Sequence, residues 1–291
     1  MFSLLSKALF FLFPFTIFAN GTDVFVENVE NVAKKSKPIE VFKMKESPYN
    51  ENAIIRRMYA ENNLIGAKHP LVLHVADFPI SVSLPNRPEW LKGFRENSNG
   101  SVILIWVYAE NGYQKRFYLT KDDTLSFIED KTYFKDKFKK YFTSKDLDGL
   151  SACEVGVTSI LVNGYGESLK TPKATKTLEV FYKEKTAKNP KIKEGMDAPR
   201  LVYNEPYGNF QANAPIMCDF YVYNTEIGSD ACTVELYIDG VLEEILYEWA
   251  PYKLMNLAPG RHEVELVLVG KDKKPILNPF GRQKNVILVG N

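Results

Sequence analysis

The sequence predicts a mainly β protein with two tandem antiparallel β-sandwich domains, the first of which carries an inserted loop and a short helix. Three observations predict this fold. Short segments of alternating apolar residues recur along the chain, Pro and Gly turns separate them, and the polar, lysine-rich residues 183–198 divide the chain. The predicted domains are therefore residues 20–182 and residues 199–291, joined by a linker at residues 183–198.

The C-terminal domain has the clearest strand pattern. Residues 215–224, 233–238 and 261–270 alternate apolar side chains with others, which is the period-two pattern of a strand with unequal faces. Asp239 and Gly240 predict a turn into a second strand, and so a hairpin. The side chains predicted to face the core are Cys218, Phe220, Val222, Val234, Leu236, Ile238, Val264, Leu266 and Leu268.

The best candidate for catalysis is His262, which lies beside an arginine and two glutamates after the turn at Pro259 and Gly260. We interpret His262 as the first inward-facing residue of a strand, with one ring nitrogen bonded to backbone and the other in water. No second histidine lies in this half of the chain, so a general base lacks a partner and a metal lacks its ligands. The sequence predicts no catalytic residue, no metal site and no cofactor.

One string in this half is similar to a known class of domain. The residues "DFYVYN … VELYIDG … EWAPYKLMNLAPGRHEVELVLVG" resemble the immunoglobulin-like and fibronectin-III-like β-sandwich modules of exported bacterial proteins. In those modules a turn of the form L-x-P-G-x-H leads into a late strand. The resemblance covers roughly residues 198–289 and implies a sandwich fold, but its motifs are structural and imply no function.

The first half has weaker signals. Residues 102–119 predict a hairpin with a type I′ turn at Asn111 and Gly112. Residues 131–142 show the apolar spacing of an amphipathic helix. Residues 38–47 are interpreted as a first strand and residues 50–63 as a short helix. Leu150–Val162 can be laid on Leu257–Val269, which leaves two interpretations open: a duplicated module or two unrelated β-modules.

The chain has three cysteines, Cys153, Cys218 and Cys232. If residues 215–224 and the strand after Cys232 are neighbouring antiparallel strands, Cys218 faces the region of Tyr237, too far from Cys232 for a disulfide. We interpret all three as small buried hydrophobes. No spacing among them matches a zinc site.

The N-terminus has the order of a secretory signal peptide: Lys7, an apolar run from Ala8 to Phe18, then small and polar residues. Cleavage is predicted after Ala19, with Gly21 as the alternative. The run is shorter than the roughly 20 residues that span a membrane, so the mature chain is expected to be exported, periplasmic or extracellular, without a membrane span.

Two functions follow as hypotheses. Without Lys7 the chain keeps 36 basic side chains against 36 acidic ones, which disfavours nucleic acid as a partner. The first hypothesis is an exported, non-enzymatic binding or structural protein that contacts a protein or another envelope component. The alternative is a carbohydrate-binding protein that uses Trp90, Trp249 and Tyr252, although Trp249 and Tyr252 also suit the end of a sandwich core. A bare sheet edge would favour the first, and coplanar exposed aromatics the second.

Overall fold

The structure is a computed structural model that describes residues 37–45, 54–60, 64–65, 71–76, 101–109, 113–120, 154–163, 166–182 and 198–290. Its strands are β1 (Glu40–Lys43), β2 (Ile54–Ala60), β3 (Leu64–Ile65), β4 (Leu71–Ala76), β5 (Ser101–Ala109), β6 (Gln114–Thr120), β7 (Glu154–Leu161), β8 (Thr175–Tyr182), β9 (Arg200–Glu205), β10 (Gly208–Phe210), β11 (Ile216–Tyr223), β12 (Thr233–Ile238), β13 (Val241–Leu246), β14 (Tyr252–Met255), β15 (Gly260–Val269) and β16 (Arg282–Val289). A short 3₁₀ helix, Pro172–Ala174, precedes β8. The predicted mainly β, antiparallel fold is confirmed.

The C-terminal part is a two-layer sandwich. One sheet has the order β1-β14-β11-β9, and the other has the order β10-β16-β15-β12-β13. All nine side chains predicted to face the core lie between these sheets and are at most 4% exposed. Burial of alternate apolar side chains from both layers is what closes a sandwich.

The predicted hairpin at Asp239 and Gly240 is confirmed. Ile238 pairs with Val241, so the loop has two residues. Their φ angles of 52° and 82° are the left-handed values that such a turn requires. Further along the same hairpin Leu236 pairs with Glu244 and Tyr237 with Leu242, which leaves Glu243 as the extra residue of a β-bulge.

The pairing of β11 with β12, which the disulfide argument took as its condition, does not occur. β11 pairs with β9 and β14, whereas β12 lies in the other sheet between β15 and β13. The connection from Tyr223 to Thr233 is too long for a tight hairpin, and the chain crosses between the layers there. Cys218 and Cys232 are free, as predicted. Cys218 is fully buried, and this burial raises the pKa of its thiol, while Cys232 is half-buried and Cys153 lies outside the described residues.

The N-terminal part contains a five-stranded sheet, β3-β8-β7-β5-β6, and a two-stranded ladder of β2 and β4. The β5–β6 hairpin is confirmed, with Ala109 N–H donating to Tyr113 O over 3.0 Å. The predicted type I′ turn at Asn111 and Gly112 has two residues and would pair Glu110 with Tyr113. The observed bond pairs Ala109 with Tyr113 instead, so three residues separate the two paired positions. The turn residues themselves, and the helix predicted at residues 131–142, lie outside the described residues.

Two further predictions concern the start of the chain. The short helix predicted near residues 50–63 is wrong for its central part, which is strand β2 paired with β4. Cross-strand pairing of apolar residues outweighs the weak helical spacing there. The first strand predicted at residues 38–47 is confirmed as β1, and it pairs with β14 of the C-terminal sandwich.

The two parts meet at a buried cluster that we call the junction. Strands β9 and β11 place one face in the sandwich core and the opposite face against the N-terminal sheet, so every residue of β9 is buried. The apolar members of the junction are Leu104, Trp106, Tyr108, Ile160, Val162, Val202, Tyr221 and Phe280. The predicted domain boundaries stay a prediction, because residues 183–197 lie outside the described ones.

Candidate functional site

A buried ion pair crosses the junction. Lys170 follows the turn after β7, and Asp219 is in the middle of β11; their side chains are 2% and 0% exposed. Lys170 Nζ donates to Asp219 Oδ1 over 2.5 Å, to Ser168 Oγ over 2.6 Å and to Phe220 O over 2.8 Å. An ammonium has three protons, so all of its donors are used.

The carboxylate of this pair is equally well satisfied. Asp219 Oδ2 accepts from Ser168 N–H over 2.9 Å and from Asn204 Nδ2 over 2.6 Å. Asn204 also donates to Gly166 O over 2.6 Å, and Tyr118 Oη donates to Asn204 over 2.8 Å. Because every polar atom of Lys170 and Asp219 is occupied, we assign the pair a structural role: it joins the turn after β7 to β9 and β11.

An arginine among aromatic rings forms the second polar element of the junction. Arg200 is 3% exposed, and its guanidinium carbon lies 5.0 Å from the Tyr108 ring centre and 5.6 Å from that of Tyr223. Its Nη1 donates to Tyr108 Oη over 2.5 Å. Gly156 makes room for this ring, because a Cβ there would lie 2.1 Å from Tyr108 Cζ.

The outer edge of β9 is covered by side chains. Gln283 Nε2 donates to Leu201 O over 2.6 Å, and Gln283 Oε1 accepts from Tyr203 N–H over 3.4 Å, so this amide takes the place of a neighbouring strand. Arg116 Nη1 donates to Tyr203 O, and its guanidinium lies 4.8 Å from the centre of the Tyr203 ring. Strand β9 therefore has little free edge for another chain.

A basic cleft lies beside this covered edge, between β6 and β16. Its volume is about 300 Å³, which is at the lower end of the roughly 300–1,000 Å³ of ligand pockets. Gln283 Nε2 donates to Gln114 Oε1 over 2.7 Å, so two glutamine side chains span the cleft from strand to strand. Its lining side chains are four cations and two amides: Gln114, Lys115, Arg116, Arg282, Gln283 and Lys284.

Both walls of the basic cleft are strand edges. β6 ends its sheet, with no strand on its outer side in the described part of the chain. The backbone groups of an antiparallel pair alternate in direction, and the Ala109–Tyr113 bond fixes the phase. The backbone groups of Gln114, Arg116 and Tyr118 therefore point away from β5, toward the free edge.

The same reasoning applies to β16. Leu268 N–H donates to Gly281 O over 2.7 Å, so the backbone groups of Arg282 and Lys284 point away from β15. Strand β10 pairs with β16 only from Ile287 to Val289. The first half of β16 thus presents free N–H and C=O groups on the side opposite β15.

Two of the cations that line the basic cleft form ion pairs with β15. Arg282 Nη1 lies 3.2 Å from Glu265 Oε1, and Lys284 Nζ lies 3.0 Å from Glu263 Oε2. Two carboxylates of β15 therefore each contact one of these two cations. Since Arg282 and Lys284 are 58% and 57% exposed, these ion pairs are each worth at most about 1 kcal/mol.

The free edge of β13 differs from that of β6. Val241 and Leu242 are 59% and 45% exposed on this edge, but the bulge at Glu243 and the carboxylate of Glu244 interrupt it. Bulges and charges on an edge strand hinder the addition of another strand. In the paired part of β6 a register shift occurs only at its far end, opposite Ser101 and Ile103.

The structure places two of the three residues predicted to contact a ligand against the sandwich core. Tyr252 is 6% exposed in the sandwich core, its hydroxyl donates to Glu248 O over 2.9 Å, and burial raises its pKa to about 12. Trp249 is half-buried against the same core and stacks edge to face on Tyr221 at 4.6 Å. Both rings therefore contact the sandwich core, which agrees with the interpretation that they close one end of it. Trp90 and the cleavage site at Ala19 lie outside the described residues.

His262 has two partners, so the expectation that one ring nitrogen is in water is wrong. Nε2 lies 2.7 Å from Ala258 O, and Nδ1 lies 2.7 Å from Asp239 Oδ2. The turn of the β12–β13 hairpin brings Asp239 beside β15, where its other oxygen accepts Glu263 N–H. Strand alternation places His262 correctly but gives no sign of a carboxylate from a different hairpin.

The described residues lack two features, a group of metal-ligating side chains and a membrane-spanning helix. No three His, Cys, Asp or Glu side chains in this part of the chain are grouped to hold a metal ion. No helix in the same residues is long and apolar enough to cross a membrane.

Sequence reasoning missed the basic cleft, although its signal is visible. "QKR" opens β6 and "RQK" opens β16, so each strand begins with one glutamine and two cations. Only the arrangement of the two sheets shows that these triplets line the same cleft.

Comparison with known proteins gives a weak structural similarity. No protein-family model matches this chain, and no curated protein matches it either. Among solved structures, it is similar to the fibronectin(III)-like modules of Clostridium thermocellum CbhA, with 14% identity over 31% of this chain and 95% of that one and a TM-score of 0.26. Because that score is low, the sandwich assignment rests on the strand pairing described above.

Proposed function

We propose that this chain is an exported, non-enzymatic binding protein of the periplasm or cell envelope that acts through protein–protein contacts at the basic cleft. The observation that carries the proposal is that the edges of β6 and of the first half of β16, which no described strand covers there, border a concave site. An exposed edge binds an extended segment of another protein by main-chain hydrogen bonds, and nearby side chains select its sequence.

The lining of the basic cleft favours a protein partner over a glycan. Its six side chains are cations and amides, and none is an aromatic ring on which a sugar face can stack. Four cations without a catalytic carboxylate or histidine among them provide binding, not acid–base chemistry. Export is supported by the signal-peptide pattern of residues 1–19.

The test is a pull-down from the native cell envelope, run beside a glycan array. The baits are the wild type, the cleft variant Arg282→Gln/Lys284→Gln, and a charge-matched control, Lys271→Gln/Lys274→Gln, on an exposed turn. We expect proteins that the wild type and the control retain and the cleft variant loses. Glycan binding that survives in the cleft variant and disappears in Trp249→Ala would contradict the proposal and support the carbohydrate alternative.

A further inference from the structure

The two exposed cations of the basic cleft have a regular spacing. Arg282 and Lys284 are two residues apart on β16, so their side chains leave the sheet on the same face. A strand lying alongside β16 presents its own residues i and i+2 on that face, with the same repeat of roughly 7 Å. Carboxylates at alternate positions of such a strand would therefore each meet one cation.

The existing partners of these cations leave room for a ligand. Glu263 and Glu265 reach them from β15, which is the side opposite the free edge. The ammonium and the guanidinium each contact one glutamate and have further donors, so a second carboxylate can bind without breaking the first pair.

The opposite wall of the cleft is held in place. Arg116 is fixed by its bond to Tyr203 O and by the Tyr203 ring beneath it, while Lys115 is its neighbour on β6. A cation that is already ordered loses little side-chain entropy when a ligand binds. This wall adds positive charge and the outward backbone groups of Gln114 and Arg116.

We infer that the segment bound in the basic cleft is an extended acidic peptide with Asp or Glu at alternate positions, added as a strand alongside the first half of β16. This inference rests on the proposed function and names the chemistry of the partner. Charge complementarity and free main-chain groups both point to a peptide; an acidic polysaccharide shares the charge but has no amides to pair with the edge.

The experiment measures binding of labelled heptapeptides to the full mature chain by fluorescence anisotropy. The probe is Thr-Glu-Thr-Glu-Thr-Glu-Thr, and its control has the same composition with glutamate at every third position, Glu-Thr-Thr-Glu-Thr-Thr-Glu. We expect the alternating peptide to bind at least about tenfold more tightly, since only it places all carboxylates on one face. Binding should weaken as NaCl rises from about 50 to 300 mM.

Two further arms test the strand and the site. N-methylation of alternate amides keeps every charge and removes the main-chain donors, so we expect binding to be lost. Arg282→Gln/Lys284→Gln should weaken the alternating peptide by about tenfold or more, and Lys271→Gln/Lys274→Gln should leave it unchanged. Equal binding of both peptide spacings, full binding after N-methylation, or tighter binding of oligogalacturonate would each overturn the inference.

The two proposals fail in different ways. If acidic peptides do not bind, but envelope proteins are still lost from the Arg282→Gln/Lys284→Gln bait, the partner is a protein of other chemistry and only this inference is wrong. If the Arg282→Gln/Lys284→Gln bait captures the same proteins as the wild type, the proposed function is wrong as well.

Discussion

The sandwich core and the junction are both buried, yet they are made of different chemistry. The sandwich core consists of aliphatic and aromatic side chains from two sheets. The junction combines aromatic rings with a buried ion pair, a buried arginine and several amides. Apolar burial has no preferred direction, whereas hydrogen bonds fix distance and angle. The sandwich core therefore supplies cohesion, and the junction sets how the N-terminal sheet sits on the sandwich.

The largest effect should come from the junction. Asp219→Ala leaves the Lys170 ammonium buried without its carboxylate, so we expect the free energy of unfolding to fall by about 3 to 5 kcal/mol. Urea unfolding of the full chain measures it. The double variant Lys170→Met/Asp219→Leu removes both charges and should cost less than Asp219→Ala. A double variant as unstable as the single one would mean that the ion pair is not what makes Asp219 important.

The next effect probes the sandwich core. Leu266 is fully buried on β15, opposite Leu236 and Gln283 in the sheet. Leu266→Ala should lower the free energy of unfolding by about 2 to 5 kcal/mol through lost burial and the cavity that remains. Differential scanning calorimetry measures the change. The matched control is Val286→Ala on β16, where the residue is 40% exposed; we expect it to lower the free energy of unfolding by less than about 0.5 kcal/mol.

The same calorimetric traces test the predicted domain organisation. Two independent domains predict two transitions, of which Leu266→Ala moves only one. Strands β9 and β11 contribute to both the sandwich core and the junction, which is a physical route for coupling. A single transition that moves as a whole would mean that the two parts unfold together and that the two-domain prediction is wrong.

The smallest effect concerns His262 at the rim of the sandwich. Partial burial alone lowers the pKa of His262, but the bonds to Ala258 O and Asp239 outweigh this and raise it above its usual value. Burial by itself raises the pKa of Asp239, whereas Glu263 N–H and His262 lower it below its usual value. We expect His262→Gln to cost less than about 1 kcal/mol, because Asp239 is half exposed.

The pH dependence gives this prediction its sign. The stabilisation that His262 contributes is fully present below the unfolded pKa of about 6.5 and is lost as pH rises through the raised folded pKa. The stabilisation that Asp239 contributes is present above its unfolded pKa of about 3.9 and is lost as pH falls through the lowered folded pKa. Urea unfolding should thus show the largest gap between wild type and His262→Gln from about pH 4 to 6.5. A gap that grows above pH 8 would contradict the ion pair.

Sequence patterns predict the sandwich core well because period-two alternation reports burial directly. Every residue predicted to face that core does so, and the turn at Asp239 and Gly240 forms as its residue types require. The same pattern misleads for the other face of β11, where Met217, Asp219 and Tyr221 look solvent-facing but are at most 5% exposed. Alternation shows that two faces differ; it does not show that the second face also has a neighbour.

The basic cleft illustrates a second limit. Its cations come from two short triplets far apart in sequence, and each triplet alone is typical of a solvated strand end. Their meaning depends on which strands pair and which edges stay free, and long-range pairing is what single-sequence reasoning determines least well. For the same reason, the sequence pattern does not show that β11 and β12 lie in different sheets.

Strand β11 has eight residues and is buried on both faces, and its two faces have different structural roles. The even-numbered positions, from Ile216 to Val222, pack in the sandwich core, whereas Asp219 and Tyr221 belong to the junction. A change at Phe220 acts on whether the sandwich forms at all. A change at Tyr221 acts on what the finished sandwich packs against. Selection can therefore revise the arrangement of this protein's parts through one set of positions while the other set keeps the fold intact.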